Sequence, residues 1–189
     1  MRILLLALAL VVADTAQAAT IHIVAFGDSM TAGYLIPLKD AYPAQLQKAL
    51  RDKGYDVEVR NAGINGDTTA QALQRFDETI APGTDIVIIE FGLNDQRQHV
   101  SAAAIHARLG EIIRSLRARH LQVLVIGFRS LDLSAVAKAN DVPYQQWSLP
   151  LGKYRARDGV HFNAQGNAIV VRQVLPTVEA LMARVPTAR

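Results

Sequence analysis

Residues 21–29 read IHIVAFGDS, and this stretch sets a pattern that the rest of the chain repeats. The continuous apolar run IHIVAF is typical of a strand, and Gly27 ends it. Two polar residues, Asp28 and Ser29, follow at once. The stretch therefore predicts a strand whose end delivers polar side chains to one place.

Downstream of this stretch, apolar runs alternate with segments of helical periodicity. Further strands are predicted at 57–59, 85–91, 121–126 and, weakly, near 142–144. Helices are predicted at 41–53, 69–80, 102–119, 134–139 and 164–183. Such alternation predicts βαβ units, and hence an α/β fold with a parallel sheet of about five strands covered by helices on both faces.

Composition limits the classes of function. The 189 residues, 50% hydrophobic and 20% charged, suit one globular domain. The absence of Cys excludes a cysteine nucleophile, Cys-ligated zinc and iron–sulfur clusters. Twenty basic against 17 acidic residues, a net charge of +3, favour neither a nucleic-acid nor a membrane-surface partner. We expect no metal and no cofactor, and the sequence leaves the oligomeric state open.

Residues 1–18 have the build of a secretory signal peptide. A positive start is followed by an apolar run, residues 3–13, and by the small-x-small site Ala16-Gln17-Ala18. The run is about half of the ~20 residues that a membrane-spanning helix needs, so no stable membrane anchor is expected. A buried N-terminal helix is the alternative interpretation. We expect a single mature domain of residues 19–189, periplasmic or secreted.

Four polar clusters lie where parallel sheets bind ligands, beyond the carboxyl ends of strands or in the loop before the last helix. They are Gly27-Asp28-Ser29, Asn61 to Thr69, Gly92-Leu93-Asn94-Asp95 and Asp158-Gly159-Val160-His161. Each cluster alone is explained as a turn or a helix cap. Their joint occurrence, in order and at the right places, predicts a functional site.

Taken together, the clusters resemble the four blocks of the SGNH (GDSL-type) hydrolase superfamily. The strings GDSMTAGY and NAGINGDTT are most similar to its secreted bacterial thioesterase, lysophospholipase and arylesterase branch. Met30 stands where the family usually has Leu. The resemblance implies a flavodoxin-like three-layer α/β/α sandwich in which a serine nucleophile is supported by His and Asp.

The residue types suit nucleophilic catalysis. A serine hydroxyl must lose its proton to a base as it attacks, and imidazole performs that task near neutral pH. Ser29, His161 and Asp158 can supply nucleophile, base and orienting acid. The resemblance assigns the oxyanion donors to the backbone N–H groups of Ser29 and Gly66 and to the Asn94 amide. Gly63 is a competitor for the role of Gly66, whose missing Cβ is expected to let substrate approach closely.

The predicted function is hydrolysis of a small-molecule acyl or aryl ester, with thioesters and lysophospholipids as possible substrates. The alternatives are carbohydrate O-deacetylation and, from another class, a non-catalytic flavodoxin-like periplasmic binding protein. The Arg-x-Pro-x-Asn-Tyr stretch of thioesterase members is here Arg129-Ser130-Leu131-Asp132, and the segment from there to Asp158 is short. A shortened acyl wall predicts a flattened preference for acyl length. Trp147 and Tyr144 are candidates to line an acyl pocket or to cover the core.

Overall fold

A computed structural model describes residues 19–148 and 152–186 of the chain. The predicted signal peptide lies outside these residues. The strands are β1 (Ile21–Gly27), β2 (Val57–Gly63), β3 (Ile86–Glu90), β4 (Gln122–Phe128) and β5 (Tyr144–Trp147). The helices are α1 (Ser29–Ala32), α2 (Tyr42–Asp52), α3 (Thr69–Thr79), α4 (Leu93–Arg97), α5 (Ala102–Ala118), α6 (Ser134–Ala139) and α7 (Ala164–Met182), and a 3₁₀ turn covers Leu38–Asp40.

The five strands form one parallel sheet in the order β2-β1-β3-β4-β5. This is the doubly wound order of flavodoxin-like folds, so the predicted fold class is confirmed. Within the described ranges, no helix is long and apolar enough to cross a membrane.

Alternate residues of the strands point to opposite faces of the sheet and create two cores. Ile23 and Ala25 of β1 join the cluster that α2 and α7 cover, whereas Val24 and Phe26 join the cluster under α3, α5 and α6. Strand β3 is buried along its whole length. The continuous apolar runs in the sequence arise from this burial on both faces.

Two strand predictions were wrong at their ends. Strand β2 continues through Asn61-Ala62-Gly63, which the sequence predicted as a turn, because these residues pair in register with the last three residues of β1. Strand β5 begins at Tyr144, later than predicted, and Pro143 precedes it. Proline has no N–H to donate to a sheet, although the Pro143 carbonyl does accept from Val125.

Two short helices were not predicted. Ser29 is the first residue of α1, with Asp28 as its N-cap. Asn94 and Asp95 lie within α4, whereas the longer helix α5 is capped by Ser101, whose Oγ accepts from the Ala104 N–H at 3.2 Å. Helices of four and five residues carry too little periodicity to be recognised in a sequence.

Candidate active site

The strand order brings the four polar clusters to one rim of the sheet. Strands β2, β1 and β3 are neighbours, so Gly66, Ser29 and Asn94 follow three adjacent carboxyl ends. The loop that carries Asp158 and His161 precedes α7 and reaches the same rim. The structure therefore brings together all five residues that the sequence singled out.

Ser29, His161 and Asp158 form a continuous chain of contacts. His161 Nε2 lies 2.8 Å from Ser29 Oγ, and His161 Nδ1 lies 2.5 Å from Asp158 Oδ2. An ionised carboxylate only accepts hydrogen bonds, so Nδ1 carries the proton that faces Asp158. In the neutral ring, Nε2 is then free to accept the Ser29 hydroxyl proton. This is the arrangement that a serine nucleophile and its base require.

Asp158 is bound within its own turn. Its Oδ1 accepts the backbone N–H groups of Val160 and His161, both at 3.0 Å. The pKa of Asp158 is lowered to about 2, mainly by the hydrogen bond from the His161 ring; desolvation opposes this effect and the two backbone hydrogen bonds add to it. The carboxyl group is therefore ionised at neutral pH and can stabilise a protonated imidazole. The ring of Tyr34 lies 4.9 Å from that of His161.

Asp28 organises the turn that carries Ser29. Its Oδ1 accepts the Met30 N–H at 2.9 Å, and its Oδ2 accepts from Asn94 Nδ2 at 3.1 Å. The Asn94 amide also donates to the Asp67 carbonyl at 2.9 Å. Asn94 is thereby fixed between the ends of β1 and β2, beside Ser29.

The two candidate glycines have different reasons to be glycine. A Cβ on Gly63 would lie 2.2 Å from the Ala32 N, so Gly63 allows β2 to contact α1. Its N–H is occupied by Asn61 Oδ1 at 3.0 Å, which disfavours it as an oxyanion donor. Gly66 has φ +83°, and a Cβ there would meet open space. The backbone angle by itself favours glycine at 66, and the approach of substrate to this residue stays a prediction.

Other residues at the rim were missed by sequence reasoning. Arg75 on α3 pairs with Asp67 at 2.7 Å and donates to the carbonyls of Gly27 and Ala62, at the ends of β1 and β2. Glu90 lies fully buried beneath the Ser29 turn. Its signal was available in the sequence, because it is an acidic residue that ends an otherwise apolar strand.

A cavity of about 970 Å³ is lined by the residues that follow Ser29 and flank His161 in the chain, Met30, Val160 and Phe162. Its apolar wall is made by Met30, Leu93, Phe128, Trp147, Val160 and Phe162. Trp147 is buried and packs edge-on against Phe128 and Phe162. Of the two candidate aromatics, Trp147 thus lines the cavity, whereas Tyr144 packs against the core on the opposite face of the sheet. In the ranges 19–148 and 152–186, no three or more His, Asp or Glu residues are clustered to hold a metal ion.

Comparison with known proteins agrees with this fold. The model of the GDSL-like lipase/acylhydrolase family matches residues 25–139, more than half of the chain. The chain belongs to this family. The matched segment contains Ser29, Gly66 and Asn94 but ends before Asp158 and His161, so the assignment of the last two rests on their geometry.

Individual relatives are similar over part of their length. Esterase TesA of Pseudomonas aeruginosa is 38% identical over 132 residues, which cover 68% of this chain and 65% of TesA. An arylesterase of Vibrio mimicus is 32% identical over 61% of this chain and 58% of its own. The chain thus matches less than two thirds of these curated relatives.

Solved structures match over a greater length. A crystal structure of TesA superimposes with a TM-score of 0.77 at 27% identity, over 85% of this chain and 99% of that one. The SGNH-hydrolase family esterase AlinE4 superimposes with a TM-score of 0.62 at 25% identity, over 90% of this chain and 99% of its own.

Proposed function

We propose that this protein hydrolyses carboxylic esters through an acyl-enzyme on Ser29. The observation that carries the proposal is the contact chain from Ser29 Oγ through His161 to Asp158. Ser29 Oγ attacks the ester carbonyl carbon while His161 Nε2 takes the hydroxyl proton. Collapse of the tetrahedral intermediate releases the alcohol, which receives that proton, and water then repeats the sequence to release the acid.

The developing oxyanion needs donors in place before the reaction. In the described part of the chain, the N–H groups of Ser29 and Gly66 donate to no acceptor, which leaves them available. Both amide hydrogens of Asn94 are already donated, to Asp28 and Asp67, so Asn94 serves the oxyanion by sharing one of them. These three groups are the proposed oxyanion hole.

The cavity supports acyl or aryl esters as the substrate class. The expected flat preference for acyl length assumed a missing wall, whereas Trp147 and its aromatic neighbours supply one. Each buried methylene contributes about 0.8 kcal/mol, so four more of them favour octanoyl over butanoyl by up to roughly 200-fold in kcat/KM. We therefore propose medium-chain or aryl esters over acetylated carbohydrates. Thioesters and lysophospholipids fit the same apolar wall.

A p-nitrophenyl ester series from acetate to dodecanoate tests this preference with one leaving group throughout. We expect kcat/KM to rise up to about octanoate. Val160→Ser, an exposed residue of the cavity wall, should lower hydrolysis of octanoate more than that of acetate. Leu38→Ser, at a still more exposed apolar residue that lies outside the cavity, is the control. Fastest hydrolysis of acetate, in the wild type and in both variants, would contradict a medium-chain acyl site.

A fluorophosphonate probe tests the nucleophile and separates an enzyme from a binding protein. We expect covalent labelling of Ser29, located by peptide mass spectrometry, and a loss of turnover of about 10⁶-fold in Ser29→Ala with the melting temperature retained. Wild-type hydrolysis by Ser29→Ala would overturn the assignment of Ser29 as the nucleophile. A folded protein that is neither labelled nor hydrolytic would favour the non-catalytic binding protein. Residues 1–18, as a signal peptide, lead us to propose a periplasmic or secreted location for the single domain 19–189.

A further inference from the structure

We propose that Glu90 is a positioning residue for the Ser29 turn, acting as a neutral carboxylic acid that donates its proton to the Asp28 carboxylate. Asp28 in turn holds the Met30 N–H and the Asn94 amide, one on each side of the nucleophile. The inference deepens the proposed function and rests on it for its catalytic consequence, but the protonation of Glu90 can be measured without any substrate.

Glu90 lies directly under the turn that carries the nucleophile. It ends β3 opposite Gly27 of β1, and its carbonyl accepts the Asp28 N–H at 3.2 Å. The side chain folds across Gly27, because a Cβ built on Gly27 would lie only 2.8 Å from Glu90 Oε2. Gly27 thus leaves room for a carboxyl group beneath the turn.

The two carboxyl groups meet away from water. Glu90 is fully buried, Asp28 is 1% exposed, and their side chains are within hydrogen-bonding reach of each other. Neither has a Lys, Arg or His nitrogen within 4 Å in the described part of the chain. Two carboxylates in contact without a cation cannot both be ionised, so the pair shares a proton.

The hydrogen bonds decide which group holds that proton. Asp28 accepts two N–H donors, which favour its charged form. Glu90 accepts only the Thr31 hydroxyl, on Oε2 at 2.7 Å, and its Oε1 is buried without a donor. A proton on Glu90, directed at Asp28, satisfies both groups at once. Burial, followed by the nearby Asp28 charge, raises the pKa of Glu90 well above its ordinary value.

The charged groups around Asp28 and Glu90 are compatible with a proton on Glu90. Asp67 raises the pKa of Asp28, and His161 lowers it. Arg75 is committed to Asp67 and to backbone carbonyls. Burial raises the pKa of Tyr42, so its hydroxyl remains neutral against Glu90. No neighbour therefore supplies the positive charge that would let Glu90 ionise.

Carboxyl carbon NMR of protein labelled at Glu Cδ tests the protonation state directly. The resonance absent from the Glu90→Gln spectrum identifies Glu90. We expect it still at the protonated position at neutral pH, where an exposed Glu is ionised. A Glu90 resonance at the ionised position at about pH 7 would overturn the proposal, whether or not Ser29 proves to be the nucleophile.

Substitutions test the positioning role. Glu90→Gln keeps an N–H for Asp28 and an oxygen for Thr31, so kcat should stay within about threefold of the wild type. Glu90→Leu removes the proton that Glu90 donates to Asp28. We expect kcat to fall by about 100-fold with KM little changed, a loss of the size seen when an oxyanion donor is removed. Thr31→Val, which removes the hydroxyl that Glu90 accepts and leaves the Glu90 proton for Asp28, is the control.

Equal losses in Glu90→Gln and Glu90→Leu would show that donation to Asp28 is not what matters, and would contradict the proposal. Should Glu90→Leu fail to fold, the Gln variant and the NMR titration still decide. If the fluorophosphonate probe does not label the wild-type protein but Glu90 is protonated, only the proposed function fails.

Discussion

Two aspartates at the same rim have opposite electrostatic environments. Burial raises the pKa of Asp28 to about 6, whereas the hydrogen bond from His161 lowers the pKa of Asp158 to about 2. Asp158 lies at the surface and meets a base that becomes positively charged. Asp28 lies buried in the turn that carries Ser29 and is next to another acid, Glu90.

The two environments suit two different roles at the same edge of the sheet. The Asp158 side needs a charge that responds to a proton moving onto His161, and a charged carboxylate near solvent provides it at little cost. The Asp28 side needs fixed geometry, and buried groups with filled hydrogen bonds hold their positions most firmly. We therefore expect substitutions at Asp158 to affect mainly the rate. Substitutions around Asp28 should change both the rate and the stability.

Among the substitutions that test this comparison of the two aspartates, Asp158→Asn should have the largest effect. The amide cannot stabilise imidazolium and favours the wrong tautomer of His161, so kcat should fall by about 10⁴-fold. The melting temperature should change little because the Asp158 side chain lies near solvent. The stability that Asp158 adds is present above its ordinary pKa and disappears as the pH falls toward about 2.

Asp52→Asn provides a matched control, since Asp52 is an exposed aspartate paired with Lys48 on α2. It should leave both rate and stability unchanged. A loss smaller than about tenfold in Asp158→Asn would place the orienting acid elsewhere and break the comparison between the two aspartates.

A smaller effect is expected from Asn94→Ala on the buried side. Removing the amide deletes an oxyanion donor and one of the two N–H groups that Asp28 accepts, so kcat should fall by about 100- to 1000-fold. The melting temperature should fall as well, which steady-state kinetics and thermal unfolding would show together. Arg97→Ala, exposed on the same short helix, is the control. A fall in kcat with an unchanged melting temperature would assign Asn94 to the oxyanion alone.

The smallest effect concerns stability against pH in Glu90→Gln. Native Glu90 keeps a proton that the unfolded chain loses above its ordinary pKa, so wild-type stability falls as the pH rises from about 4 toward the raised native pKa. In this window the wild type should lose up to about 1.4 kcal/mol per pH unit relative to Glu90→Gln. Urea unfolding at several pH values measures the difference. A difference independent of pH would mean that Glu90 is ionised in the native state.

Much of this architecture was predictable from local patterns. Apolar runs such as residues 86–89 identified buried strands, and periodicity located α2, α3, α5 and α7 within a residue or two. The Asp158–His161 pair was predictable too, because three residues of one turn suffice to bring carboxylate and imidazole together.

Interactions between distant segments escaped this reasoning. Asn61-Ala62-Gly63 looks like a turn in sequence, yet pairing with β1 makes it strand. Glu90 and Arg75 act through contacts with residues far along the chain, at Thr31 and at Gly27. The wall around Trp147 likewise depends on aromatic residues from β4 and from the segment before α7.

The sequence by itself determined the alternation of strands and helices, because local patterns depend on residues near one another in the chain. The order of the four clusters and their resemblance to a known family made Ser29, Asp158 and His161 candidates. Only the tertiary structure decided that Gly66 rather than Gly63 has a free N–H, that Trp147 walls a cavity, and that Asp28 lies against Glu90. The physical reason is burial: whether a carboxyl group carries a charge, or an N–H lacks a partner, depends on what surrounds it in space.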